Sequence, residues 1–246
     1  MKWKQVGTAV QGRRHLKKNI PCQDKYFLYS QNEFECISLA DGAGSYEHSE
    51  IGAEITTQRI CKYLEKYFDF IWESEASLAK RGIIHSLRTS IGKEAHKRNC
   101  NLDDFSSTLL FACVKNNKFI CGHLGDGIIG ILKDKNLIII SPPDTGEFAN
   151  ETYFITSVDY QSKFKLYKGE IENIEGFVIM SDGTSNSFLD KTNFVLAPIL
   201  TDIFDWLKFY STSKVNKALK KNFKNVIRLK TTDDCSIALM RRVNKK

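Results

Sequence analysis

Between residues 107 and 141 the chain reads as four apolar runs, STLLFACV, KFICGHL, IIGILK and LIIIS, parted by corners such as KNNK and KDKN. Corners that short join antiparallel neighbours, because a parallel partner needs a crossover of roughly a dozen residues or more. The runs are apolar on both faces, a pattern that suits strands covered on both sides. The chain therefore needs sheet structure with something packed above it and below it.

The flanking text supplies those covers. WKQVGTAV, KYFLYS and FECISLA read as strands around the polar corner QNE. Residues 49–71 carry Ile51, Ile55, Ile60, Leu64, Phe68 and Ile71 at near-helical intervals, and residues 76–98 carry Leu78, Ile84, Leu87, Ile91 and Ala95 in the same way. Ser45 suits the N-cap of the first helix, and Glu47 and Glu50 suit the positive end of its dipole. After the meander YFITS, SKFKLYK and GFVIMS read as strands, residues 193–225 as helical text and CSIALMRR as a closing strand. This order predicts an α+β fold, a mainly antiparallel sheet assembly with helices packed outside it. The regular alternation of single strands and helices that marks a doubly wound parallel sheet is missing.

Composition narrows the class. With 42% hydrophobic residues, 4 prolines and no linker-like or low-complexity tract, residues 1–246 are expected to form one domain. No stretch approaches the ~20 apolar residues of a membrane span, and MKWKQVGTAVQGRRHLKK lacks a signal-peptide core. A cytoplasmic location without a membrane partner is expected. The 7 cysteines (Cys22, Cys36, Cys61, Cys100, Cys113, Cys121, Cys235) are odd in number and form no CxxC, so they read as reduced thiols. Much of the +7 charge lies on Lys214, Lys217, Lys221, Lys224 and Arg228, opposite Val215, Leu219, Phe223 and Val226. That is a solvated helix face, and with no nucleic-acid signature beside it a nucleic-acid partner is not expected.

Three Asp-Gly pairs each follow an apolar run: FECISLA-DG, FICGHLG-DG and GFVIMS-DG. TTDDCSIAL places acids just before a strand, and Asp24 in NIPCQDKYFLY does the same. Asp-Gly also makes hairpin turns. For Asp126-Gly127, with IIGILK following at once, the turn and the functional reading stand level. Asp41-Gly42 and Asp182-Gly183 lead into GSYEHSE and TSNSF, with no return strand. If these carboxylates gather where strand ends meet, they repel one another unless divalent cations are present. Mg2+ and Mn2+ prefer such oxygen ligands.

Taken in order, N-x-P-C-Q-D at 19–24, A-D-G-A-G at 40–44, S-T-L-L at 107–110, G-D-G at 125–127, S-D-G at 181–183 and D-D-C-S at 233–236 resemble the motifs of the type-2C metal-dependent protein serine/threonine phosphatases. The compact length and GEFANETYF (146–154) resemble a short bacterial branch. The resemblance implies a four-layer αββα sandwich, two antiparallel sheets flanked by helix pairs. It implies a two-metal centre of Mg2+ or Mn2+ that activates a water against phosphoserine or phosphothreonine. Carried over motif by motif, Asp41 would bridge both metals and the Gly42 carbonyl would ligate one. Asp182 and Asp233 would complete the other's ligands, Asp24 would hold a water of the centre, and Asp126 would serve a weaker third metal. The catalytic set is then Asp24, Asp41, Asp182 and Asp233. Phosphorylated proteins would be the substrates and a serine/threonine kinase the opposing enzyme.

Four departures accompany the match. Ala43 replaces a histidine proposed as general acid in animal members, with His48 nearby as a first-turn helix residue. Asn19 stands where many members place a phosphate-binding arginine. The cluster Arg13, Arg14, His15, Lys17 and Lys18 offers that contact instead, with Arg13 and His15 as the candidates, against a solvated loop. Gln23 replaces an acid, and Asp234 replaces an asparagine, where its charge would tighten metal binding or face solvent. Ala43 and Asn19 leave one alternative open, a catalytically weak or inactive phosphoprotein-binding relative of the same fold.

Overall fold

A computed structural model of the chain describes residues 2–144 and 152–243. Strand β1 (Lys2–Val10) is followed by a short helix α1 (Arg13–Lys18), the hairpin of β2 (Lys25–Gln31) and β3 (Phe34–Ala40), and two long helices, α2 (Ser49–Glu73) and α3 (Ala76–Arg98). Four strands come next: β4 (Leu109–Lys115), β5 (Lys118–Leu124), β6 (Ile128–Lys133) and β7 (Asn136–Ser141). A single-turn helix α4 (Tyr160–Lys163) leads to β8 (Lys165–Glu170) and β9 (Ile174–Met180). Helix α5 (Asp182–Phe188) precedes a small ribbon of β10 (Leu189–Asp190) and β11 (Val195–Leu196). Helices α6 (Ile199–Phe209) and α7 (Thr212–Asn225) then lead to the closing strand β12 (Cys235–Val243).

The strands form two five-stranded sheets, β1-β12-β9-β6-β7 and β2-β3-β4-β5-β8. Every neighbouring pair in them is antiparallel. Strand periodicity explains the layering. In β4, Leu109, Phe111 and Cys113 join the apolar faces of α2 and α3, including Leu64, Phe68, Ile84 and Leu87. The intervening Leu110, Ala112 and Val114 face the other sheet, meeting Ile129, Ile131, Phe177, Ile179 and Met240. On the outer face of that sheet, Val178, Met180, Ile237 and Leu239 pack with Phe204, Leu207, Leu219 and Phe223 of α6 and α7. Both faces of both sheets are thus covered, which is why the strand text is apolar throughout, and the layers run αββα.

Several local expectations are corrected. Ser45 does not cap α2, which begins after His48, a residue that makes no side-chain cap. YFITS is not a strand: it pairs with its surroundings mainly through the Ile155 N–H, which donates to the Ser107 carbonyl at 3.0 Å. Val226 ends α7 and is 46% exposed, outside the buried stripe of Val215, Leu219 and Phe223. The cluster at 13–18, read as loop, is helix α1. Of GEFANETYF, residues 146–151 lie outside the described residues. Among the described residues no helix is long and apolar enough to cross a membrane, and all seven cysteines are free.

Candidate metal centre

The register of the two sheets decides where the acids go. Lys25 pairs with Ala40, so Asp24 before β2 and Asp41 after β3 lie at the same end of their hairpin. Met180 pairs with Ile128 and with Ile237, which sets Asp182 after β9 beside Asp126 before β6 and Asp233 before β12. The pair Asp126-Gly127 is not a hairpin: β5 and β6 belong to different sheets, and the turn carries the chain across the sandwich.

Asp41, Asp126, Asp182 and Asp233 line one pocket of about 410 Å³ together with Gly42, Ala43, Thr108 and Arg14. Each is held by its neighbours. The Asp41 N–H donates to Thr108 Oγ1 at 2.9 Å, and the Thr108 N–H returns a bond of 2.9 Å to the Asp41 carbonyl. Asp126 Oδ2 accepts from the Thr152 hydroxyl at 2.7 Å, and Asp182 Oδ1 from the Gly183 N–H at 2.5 Å. Asp233 Oδ1 accepts from the Asp234 N–H at 2.9 Å. Gly42 is required by space, since a Cβ there would lie 2.8 Å from the Ser49 backbone. Asp24 is not on the wall. It sits behind it, 1% exposed, with Oδ2 accepting from the Ser181 hydroxyl at 2.8 Å and Oδ1 left without a hydrogen bond.

The electrostatics are those of crowded acids. Burial and then the charges of Asp24, Asp182, Asp126 and Asp233 push Asp41 well above the usual carboxylate range. Burial first, then Asp126 and Asp233, raise Asp182 to about 6. Burial and the charge of Asp234 raise Asp24 to about 7, and burial raises Asp126. Among the described residues no lysine or arginine forms an ion pair with any of these five. Bound divalent cations would relieve that repulsion, and the oxygen-only donor set fits Mg2+ or Mn2+. Among the described residues no three His, Cys, Asp or Glu close on a single ion-sized point. That spacing is compatible with Mg2+-type ions, which keep several waters and take only one or two carboxylates each.

The remaining sequence candidates land elsewhere. His15 is buried, with Nδ1 3.0 Å from Asp234 Oδ1 though not aligned for a hydrogen bond. Arg13 Nε donates to the Thr231 carbonyl at 2.9 Å. Neither lines the pocket; the residue of that cluster that does is Arg14. Asn19 ends α1 in the left-handed region at φ 54°, a place that favours asparagine over arginine. Asp234 neither reaches the pocket nor faces solvent. It is 2% exposed and accepts the Gly12 and Gln23 N–H groups, both at 2.6 Å. His48 packs its ring 5.3 Å from that of Phe105, away from the pocket.

A protein phosphatase 2C family model matches residues 11–224. Serine/threonine-protein phosphatase 3 of Escherichia coli (strain K12) is 24% identical over 250 residues, covering 97% of this chain and 98% of that protein. Among solved structures, a bacterial serine phosphatase superposes with a TM-score of 0.68 at 13% identity, covering 100% of both chains. A serine/threonine phosphatase from Staphylococcus aureus gives 0.65 at 13% identity over 98% and 96%. The catalytic domain of the serine threonine protein phosphatase PstP, in complex with 2 manganese ions, gives 0.62 at 14% identity over 98% and 99%. These structures share the fold of two antiparallel sheets and outer helices. With its family match spanning most of its length, the chain belongs to the protein phosphatase 2C family and is a protein phosphatase.

Proposed function

We propose that the pocket hydrolyses phosphoserine and phosphothreonine monoesters in proteins with the help of two divalent cations, Mg2+ or Mn2+. One observation carries this reading: Asp41, Asp126, Asp182 and Asp233, from four separate segments, share one pocket in which no described lysine or arginine pairs with them. In this reading Asp41, the Gly42 carbonyl, Asp182 and Asp233 hold the pair, Asp126 serves a weaker third ion, and Asp24 steadies a water behind them. Such cations, when bound, supply Lewis-acid charge and make water a better nucleophile at neutral pH.

The chain's own residues bind and orient. Among the described residues Arg14 is the one cationic side chain on the pocket wall, and its guanidinium suits the phosphoryl oxygens of the substrate. Thr108, just ahead of β4, fixes the backbone of Asp41 on both sides, so that carboxylate is not carried on a free loop. The net reaction breaks the bond from phosphorus to the serine or threonine oxygen and forms one to a water oxygen. Inorganic phosphate leaves and the hydroxyl is regenerated. Ala43 lines the pocket and donates no proton, so the leaving oxygen takes its proton from water or from another residue. The free thiols support a reducing, cytoplasmic setting, with a serine/threonine kinase supplying the phosphoprotein.

Phosphate release from a phosphothreonine peptide, measured while Mn2+ is titrated in, tests the reading. Turnover is expected to need the metal, to stop with chelator, and to fall at least about a hundredfold in Asp41→Asn and Asp182→Asn. Turnover without metal, or unchanged in both variants, refutes the mechanism. Tight phosphopeptide binding without release at any metal concentration favours the inactive-relative reading instead.

A further inference from the structure

A second cavity of about 250 Å³ lies between α5, α6, α7 and the turn Ile227–Lys230, and none of the site aspartates lines it. Its wall is chiefly Phe188, Ile203, Trp206, Leu219 and Phe223. Three polar residues interrupt that wall: Ser187, Asn222 and Lys230. The Ser187 hydroxyl is turned away from the opening, buried without a hydrogen-bond partner. Asn222 gives its amide nitrogen to the Ala218 carbonyl at 3.0 Å, which leaves its oxygen as an acceptor. Lys230 is exposed and belongs to no ion pair among the described residues.

An apolar cavity that demands nothing polar stays dry and empty. This one combines a long apolar wall with an ammonium at its rim that joins no ion pair among the described residues, a pairing that suits an amphipathic anion. A cavity of ~150 Å³ holds a six-carbon ring, so this cavity, at about 250 Å³, has room for about ten carbons. We propose that it binds a small amphipathic carboxylate. The acyl chain lies against Ile203, Trp206 and Phe223, and the carboxylate meets the Lys230 ammonium. The ligand meets Ser187 and Phe188 at the end of α5, the helix whose first residue is Asp182.

Trp206 on the wall is a built-in reporter. Decanoate, kept below its micelle-forming concentration, is titrated into the full metal-free chain while tryptophan fluorescence is followed, with decanol as the uncharged comparison. The expected result is a saturable change with a dissociation constant on the order of a millimolar or below. The change disappears in Trp206→Phe. Lys230→Glu, an exposed substitution that leaves the fold alone, weakens decanoate about fivefold and leaves decanol unchanged. No saturable change, equal decanoate affinity in Lys230→Glu, or self-association that covers the cavity mouth and ignores decanoate each overturns the proposal. Because the measurement uses neither metal nor phosphopeptide, its failure leaves the phosphatase reading standing, and failure of that reading leaves this one untouched.

Discussion

His123 is a buried base beneath the turn that carries Asp126, and its titration yields a stability change that can be worked out. Its Nδ1 lies 2.6 Å from the Ser141 hydroxyl and its Nε2 lies 2.8 Å from the Gly125 carbonyl, so the neutral ring accepts at one nitrogen and donates at the other. Burial pushes its pKa down from 6.5 to about 4; the Gly125 carbonyl opposes the shift and the Lys165 charge adds to it. Between those values the unfolded chain holds the extra proton, so stability through His123 falls as pH falls. From pH 7 to pH 5 the loss comes to about 2 kcal/mol. The site acids act in the opposite sense. Asp24 is raised to about 7 and Asp182 to about 6, so in the metal-free chain their protonation favours the fold as pH drops. Urea denaturation of wild type and His123→Gln, both metal-free, cancels the acids, since Gln keeps a donor and an acceptor but does not titrate. The stability advantage of wild type over the variant is expected to shrink by about 2 kcal/mol between pH 7 and pH 5. If the two pH profiles run parallel, the ring is not buried neutral and the reasoning fails.

Three further outcomes are expected. Arg14→Ala raises KM for a phosphopeptide about tenfold with a smaller effect on kcat, while Arg13→Ala stays near wild type in steady-state kinetics; equal effects would mean that neither arginine meets the phosphate. Asp234→Ala leaves the Gly12 and Gln23 N–H groups without their acceptor and costs about 2–5 kcal/mol by urea denaturation. Mn2+ at a thousand times its dissociation constant raises the stability of wild type by about 4 kcal/mol and of Asp41→Asn by far less, read by thermal denaturation. No shift in wild type would mean that the carboxylates hold no ion.

The layers were legible because two periods and the corner lengths leave few alternatives. In LLFACVK, successive residues had to face two apolar partners, and α2 and α3 had one apolar stripe each to offer. Helix α1 was not legible, because RRHLKK has no apolar repeat. Its start is fixed from far away, by Gly12 N–H on Asp234 and Arg14 N–H on the Thr232 carbonyl at 2.9 Å. That placement also decides which basic side chain reaches the pocket, so the sequence candidates Arg13 and His15 give way to Arg14 once the helix sets their directions. YFITS carried strand composition, but in the fold it is a turn that buries Ile155 in the core beside α3 and puts Phe154 on the pocket wall. Ser45 had the chemistry of a cap. The helix starts later because the His48 N–H is taken by the Asp104 carbonyl at 2.9 Å, which fixes the chain just ahead of α2.

The Asp233-Asp234 pair shows why the site acids were legible one by one while their support was not. Asp233 sits in the bend just before β12 and faces the pocket, while Asp234 turns into the protein, where its two oxygens take the Gly12 and Gln23 N–H groups. Those two donors stand immediately before the segments that carry Arg14 and Asp24. A single dipeptide at the mouth of β12 thus supplies one pocket carboxylate and fastens the two loops that position a cation and another acid. An asparagine at 234 has only one acceptor oxygen for two donors, so Asp234→Asn is expected to loosen one of those loops while Asp233 stays in place. The sequence gives no hint of this, because the bonds reach 222 and 211 residues along the chain.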